Sequence, residues 1–351
     1  MPLRADDMRS AYGRLRSGER TMVSALALAN SPDLIRQAYG ARTLQRANRA
    51  AMLDIELLQD DACFIPHATM ATFFKEVEAC VGDAYFGLEL AQVQTAQTYG
   101  VWGDYVYQAG SLGEAINRAI HTIGYHSRGD QVSLAAGNGI ARFSYLSAAR
   151  HLDGYTTVAI GTAAIMQNLC RAFMPRGWRP VRIELDIPRP SRGARFEDAF
   201  QCPIVFDARA VSVVFETEPL LRASGRRAAP QTLTIDDLAR ARTLSASPRS
   251  LADDVAAHIR VQILAGTVSL DAAARAFETS TRSLQRGLNQ DGTDFRSLVN
   301  ATRVIRAKEL LRGTTNSVTE ISVQLGYSSA AHFARAFRRE TGMSPQQYRF
   351  P

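Results

Sequence analysis

Arg282, Gln285 and Arg286 stand three and four positions apart in Thr281-Arg282-Ser283-Leu284-Gln285-Arg286-Gly287-Leu288, so on a helix they project from one face. Arginine makes paired hydrogen bonds to guanine, and glutamine makes them to adenine. Ser283, in the same run, joins them as a candidate DNA contact. On an isolated helix such residues would read as a solvated basic face, so the surrounding elements decide.

Those elements are arranged as helix, tight turn, helix. Val268 to Phe277 reads as a first helix, Glu278-Thr279-Ser280 as a turn, and Thr281 to Leu288 as the second helix. Ala273, Phe277, Leu284 and Leu288 can close a small core, with Ala274 where the helices cross. The plan recurs about fifty residues later. Glu320 to Leu325 is followed by Gly326-Tyr327-Ser328 and then by Ser329 to Arg339, with Ile321, Leu325, Phe333 and Phe337 as core positions. Ala330, Ala331, His332 and Arg335 face outward, and Ser329 can cap the helix or hold a phosphate. Alanines donate no hydrogen bonds, so base reading there reduces to contact with thymine methyls. The first unit is therefore expected to specify sequence and the second to position. Between the units a helix from about Asp294 to Arg312 acts as spacer, with Phe295, Leu298, Val299, Thr302, Ile305 and Leu310 as its buried stripe. The two units span 269–289 and 318–340.

Residues 250–350 resemble the C-terminal domain of AraC/XylS-type bacterial transcription regulators. The resemblance rests on Glu320-Ile321-Ser322, Leu325-Gly326-Tyr327-Ser328, Phe333-Ala334-Arg335-Ala336-Phe337-Arg338-Arg339 and Thr341-Gly342-Met343-Ser344-Pro345-Gln346-Gln347-Tyr348-Arg349. It implies that the two recognition helices enter successive major grooves on one face of the duplex, roughly 34 Å apart, so the connecting helix must match that spacing or bend the DNA. It also implies double-stranded DNA and RNA polymerase as partners, with a homodimer as a further possibility. Two residues depart from the pattern. Glu278 stands where a glycine is usual, and Thr281 where proline is frequent; a glutamate near DNA costs attraction.

The chain of 351 residues has room for two or three domains. Its 46% hydrophobic and 21% charged content is that of a globular protein. The formal charge is +7, and residues 248–351 hold 14 Lys and Arg against 9 Asp and Glu, while the rest hold 27 against 25. The excess sits where nucleic acid would be bound. Residues 1–18 read as a flexible arm, 19–221 as an effector-sensing domain, 222–247 as a linker with a short helix at Asp236 to Arg242, and 248–351 as the DNA-binding domain. Ser247-Pro248 is expected to start the first helix of that last domain.

The sensing domain reads as α+β with a mainly antiparallel sheet. Residues 20–91 are helical in pattern, including an early helix over Met22 to Ala29. Pro66 opens a helix with Met70, Phe73, Phe74 and Val77 on one side, and Ser111 opens another. Gln131 to Ala136 and Ile140 to Leu146 alternate around Gly137-Asn138-Gly139, a hairpin. Tyr155 to Phe173 is a buried helix. Val181, Ile183, Leu185 and Ile187 alternate with outward-facing Arg182, Glu184 and Asp186, and two further strands lie at 203–206 and 210–216. This domain is similar to the arabinose-binding-type sensor of a subgroup resembling ornithine-utilisation regulators. That similarity rests on Phe86-Gly87-Leu88-Glu89-Leu90-Ala91, Gly110-Ser111-Leu112-Gly113-Glu114-Ala115 and Phe200-Gln201-Cys202-Pro203-Ile204-Val205-Phe206.

The remaining chemistry is sparse. Cys63, Cys80, Cys170 and Cys202 are dispersed and read as reduced thiols, and the six histidines show no metal spacing. No nucleophile elbow, phosphate loop or dinucleotide fingerprint occurs. No catalytic residue, metal or cofactor is expected, and no apolar run is long enough to span a membrane. The expected location is the cytoplasm. Tyr99, Trp102, Tyr105 and Tyr125 are the candidate lining of an effector pocket, with Tyr107 and Trp178 as further aromatics. The expectation is a DNA-binding transcription regulator that senses a small molecule. The alternatives are control by a protein partner or by dimerisation, and an enzyme with a DNA-binding appendage.

Overall fold

The computed structural model describes residues 20–58, 63–82, 86–94, 96–221, 233–244 and 250–350. The expected arm over 1–18 and the Ser247-Pro248 helix start lie outside them.

The described chain opens on a strand, β1 (Met22–Ser24), followed by a short 3-10 turn at Ala25–Leu28, where an early helix was expected. β1 is the middle of a three-stranded antiparallel sheet, between β2 (Phe64–Pro66) and β3 (Ser127–Arg128). Both partners are remote in sequence, so local periodicity carries no trace of them. Around this sheet pack α1 (Ser31–Tyr39), α2 (Ala41–Ala51), α3 (Ile55–Leu58), α4 (His67–Val81) and α5 (Phe86–Val93). Their apolar faces meet in one core holding Ile35, Leu44, Phe73, Phe74, Val77 and Phe86.

Helices α6 (Gly100–Tyr107) and α7 (Leu112–Thr122) lead into a five-stranded sheet. Ser111 caps α7 by accepting the Glu114 N–H. β4 (Gln131–Gly137) and β5 (Ile140–Leu146) form the expected hairpin, and its turn places Asn138 and Gly139 at φ 53° and 77°. That is the left-handed pair a two-residue hairpin turn needs. α8 (Tyr155–Phe173) is the long buried helix, followed by β6 (Arg182–Glu184), α9 (Ala194–Phe200), β7 (Ile204–Val205) and β8 (Val211–Glu216). The sheet order is β4-β5-β8-β6-β7, antiparallel except for β6 with β7. One expectation inverts here: Val181 is 42% exposed and Glu184 is buried. Glu184 is ion-paired with Arg142 and Arg182, and those partners let an acid lie where alternation predicted an outward position.

Within the expected linker, α10 (Ile235–Leu244) buries Leu238 and packs on α6, and the Leu233 N–H donates to the Gln108 side chain at 2.8 Å. The all-α C-terminal domain follows. α11 (Leu251–Leu264) is capped by Ser250, through a reciprocal pair of bonds with Asp253. α12 (Leu270–Ala276), α13 (Thr281–Gln290), α14 (Phe295–Gly313), α15 (Val318–Gln324), α16 (Ala330–Thr341) and α17 (Pro345–Arg349) complete it. Their core holds Ala273, Leu284, Leu288, Ile321, Phe333 and Phe337. On α14, Ile305 is 57% exposed and is not part of the buried stripe. At about 100° per residue it falls opposite the arc that carries Val299, Ala307 and Leu310; Val304 and Leu311 extend that arc instead.

The C-terminal domain is docked on the N-terminal one through α11. Val261, fully buried, belongs to the core of the N-terminal helices. Asp254, also fully buried, accepts from Arg20 Nε and Arg128 Nη2, each at 2.5 Å.

Candidate functional site

The first helix-turn-helix unit is built by two serine caps. Ser269 accepts the Ala272 N–H to start α12, and Ser280 accepts the Ser283 N–H to start α13. Between them Thr279 N–H returns to Ala274 O at 2.9 Å, which requires Glu278 in the left-handed region at φ 51°. The second unit has Gly326 at φ 71° in the matching turn. The two turns thus share one conformation, and glutamate occupies in the first a place suited to glycine.

Arg282, Gln285 and Arg286 lie exposed on the outer face of α13, while Leu284 and Leu288 pack inward. Ser283 is half-buried, and its hydroxyl accepts from Ser280 Oγ at 3.0 Å. In the second unit Ser329 caps α16 by accepting the His332 N–H at 3.1 Å. Ala331, His332 and Arg335 are exposed and Ala330 half-buried. His332 sits edge-on to Tyr327 and near Ser328 Oγ.

A feature that sequence reasoning misses lies between α14 and α16. Arg296, Asn300 and Arg303 from α14 line one groove with His332, Arg335 and Arg339 from α16. Arg303 also stacks on the Tyr327 ring, its guanidinium carbon 5.1 Å from the centroid. The spacing of Arg296, Asn300 and Arg303 is that of one helix face and is a readable signal, but a pure spacer role for α14 passes over it. Four arginines along one groove give a positive surface of the kind that holds phosphates.

The turn at Glu278 is not free. Its Oε1 lies 2.7 Å from His151 Nε2 of the N-terminal domain.

In the N-terminal domain, α6, α7 and α8 close with the β4–β5 hairpin around a cavity of about 90 Å³. Of the four aromatic candidates, Tyr99 and Trp102 line it, and Tyr105 and Tyr125 do not. α6 turns Trp102, Gly103 and Val106 inward and leaves Tyr105 outside, where the Arg118 guanidinium stacks at 4.6 Å. After Tyr125 the chain enters β3 and brings His126 to the wall instead. The His126 ring is stacked on Tyr99 at 4.2 Å and on Trp102 at 4.8 Å between centroids. Trp178 packs elsewhere, edge-on to Phe215.

One end of the cavity is polar. Asp130 accepts from His67 Nε2 at 3.1 Å, Ser127 Oγ at 2.6 Å, Ser147 Oγ at 3.2 Å and the Ala148 N–H at 2.7 Å, and also from the Tyr145 hydroxyl. Burial alone would raise the Asp130 pKa, but the charge and hydrogen bond of His67, with the hydroxyl donors, hold it well below the usual carboxylate range. Burial likewise works against protonated His67, and Asp130 outweighs it, so His67 is raised. His126 is pushed down to about 4 by burial and stays neutral. Among the described residues, no group of three or more His, Cys, Asp or Glu side chains could hold a metal ion. No helix among them is long and apolar enough to cross a membrane.

A family model described as the arabinose-binding domain of AraC transcription regulator matches residues 42–223, and a helix-turn-helix domain model matches residues 273–350. The chain is 25% identical over 275 residues to an ornithine utilization regulator of Pseudomonas aeruginosa, covering 78% of this chain and 80% of that one. It is 40% identical over 86 residues to the transcriptional activator RhaS of Escherichia coli, a match spanning 24% of this chain and 31% of that one. Among solved structures, the regulator CdpR of Pseudomonas aeruginosa aligns over 78% of this chain and 91% of its own, with 21% identity and a TM-score of 0.37. The DNA-binding domain of AdpA, solved with a target DNA, aligns over 29% and 91%, with 26% identity and a TM-score of 0.25.

Proposed function

The chain belongs to the AraC/XylS-type family of helix-turn-helix transcription regulators, and from that premise we propose that it couples a small-molecule effector, held in the N-terminal cavity, to DNA binding by its C-terminal domain. Arg282, Gln285 and Arg286 read bases, with Ser283 beside them. Ser329, Ala330, Ala331, His332 and Arg335 position the second unit, and the groove of Arg296, Arg303 and Arg339 grips the phosphates. The protein acts in the cytoplasm on double-stranded DNA and RNA polymerase, as a homodimer where its operator is paired, and performs no catalysis.

The observation that carries this reading is the continuity of a short segment. Asp130 lines the polar end of the cavity and accepts from Ser127, and Arg128 between them reaches across to Asp254 of the DNA-binding domain. A ligand that moves the cavity wall therefore acts on the docking contact within a few residues. A second route runs through α6, whose Trp102, Gly103 and Val106 face the cavity while α10, just before the DNA-binding domain, packs on the same helix. An effector shifts the equilibrium only as far as it prefers one docked state over the other.

The test is genome-wide mapping of the sites bound by the full chain, followed by transcription from those promoters with metabolites of the neighbouring genes. Specific sites whose transcription answers to one metabolite support the reading. Sites whose transcription no metabolite alters would instead favour control by a partner protein or by dimerisation.

A further inference from the structure

The cavity carries information about the chemistry of its occupant, and the inference drawn from it rests on the reading of that cavity as the sensing site. Among the described residues, Asp130 is the only carboxylate in its lining, and no lysine or arginine lines it. Five donors already converge on the two oxygens of Asp130. A carboxylate offers about four lone-pair sites, so it has none left for a cation. An anion would find no positive partner, and a charge buried unpaired is strongly disfavoured.

Two deeply buried side chains of the lining remain open. Gln94 and His126 line the cavity at 3% and 5% exposure, and among the described residues neither the Gln94 amide nor the His126 ring nitrogens receive a hydrogen bond from the protein. Buried polar groups of this kind are normally satisfied. Each can donate to or accept from an uncharged group. Around them stand Tyr99, Trp102, Phe143 and aliphatic side chains.

The room itself is maintained by a glycine. Gly161 lies in the interior of α8, where glycine is disfavoured relative to alanine, and a Cβ built there would meet nothing within 4 Å. Gly161 lines the cavity, so that open space is the ligand's. The cavity of about 90 Å³ is smaller than the roughly 150 Å³ that accommodates benzene in an engineered core.

We propose that the effector is an uncharged, largely apolar molecule no larger than benzene, with one hydrogen-bonding group received by Gln94 or His126. An amino acid such as ornithine, for whose utilization the similar Pseudomonas aeruginosa regulator is named, carries charges that this lining cannot pair.

Thermal unfolding of the full chain with pyrrole, cyclopentanone, butyrate and L-ornithine tests the proposal. Pyrrole and cyclopentanone are expected to raise Tm saturably, and butyrate and ornithine to leave it unchanged. Gly161→Val should weaken the neutral probes by about tenfold or more while the unliganded protein unfolds no earlier than the parent. Gly161→Ala, the gentler filling, should weaken them less and serves if the valine variant does not fold. Saturable binding of butyrate or ornithine that is lost in the Gly161 variants would overturn the uncharged class and keep the cavity as the sensing site. Binding that ignores both variants, or no binding by any of the four, would overturn the class and the cavity reading together.

Discussion

Glu278 shows how one residue can serve two interests that conflict. Its left-handed backbone is strained for any side chain but glycine, at a cost of order 1–3 kcal/mol. Glu278→Gly should relieve that strain and raise the denaturation midpoint by about 1 kcal/mol equivalent, even though it removes the exposed contact with His151, a type of pair that contributes little on its own. Failure of the midpoint to rise would mean that the contact outweighs the strain. Base reading is a separate matter: Arg286→Ala should lose about 1–3 kcal/mol on a specific operator and much less on random DNA, measured by titration at fixed salt. One buried histidine lowers stability in acid. His258, fully enclosed in the C-terminal domain, is lowered by burial from an unfolded value near 6.5 to about 4. The unfolded chain therefore takes up a proton that the native state refuses, so the stability present above pH 6.5 is lost as pH falls toward 4, by about 3 kcal/mol. Urea midpoints across that interval should fall, and His258→Gln should flatten the slope. Of these features, the reading face of α13 was legible because it depends on helical spacing alone. The strain at Glu278 was visible as a departure, but its partner His151 was not, since nothing local links residues so far apart.

Elements declare themselves in sequence when their stabilising contacts are internal. α8 and the β4–β5 hairpin follow the expected spans because a continuous apolar run and an Asn-Gly turn act locally. β1 and β2 are the opposite case, three-residue strands held by partners distant in the chain, and their apolar residues pass for helix. The cavity lay between these extremes. Tyr99 and Trp102 were found by residue type, while His126, Gln94 and Asp130 came to its wall through the packing of separate elements. The crossing of α4 with the start of α8 depends on one position. Gly154 caps α8 at φ 87°, and a Cβ there would run into Ala71 O and stand 2.7 Å from Lys75 N. Backbone cannot yield as a side-chain tip can, so Gly154→Ala should cost about 3 kcal/mol or more. A calorimetric Tm within error of the parent would show that the two helices can separate without loss.

At the scale of the whole molecule, the two domains meet through a buried carboxylate and a buried valine on one helix. Asp254→Asn should weaken this docking by about 2–3 kcal/mol, less than a fully enclosed ion pair because Arg20 and Arg128 can regain water. The parent should unfold in one transition and the variant in two, with the C-terminal transition moving independently. A single transition in Asp254→Asn would show that Val261 and its neighbours suffice to hold the domains. The helix that carries Asp254 and Val261 belongs to the same polypeptide as the surface that receives it, and covalent connection changes how such a contact should be weighed. Joined modules face each other at an effective concentration on the order of millimolar, and a contact with a Kd of 1 mM corresponds to only about 4 kcal/mol. A docking contact too feeble to unite two separate proteins is therefore enough to restrain this one. Residues 250–351 produced alone, or mixed at micromolar concentration with the severed N-terminal part, should bind their operators without regard to effector.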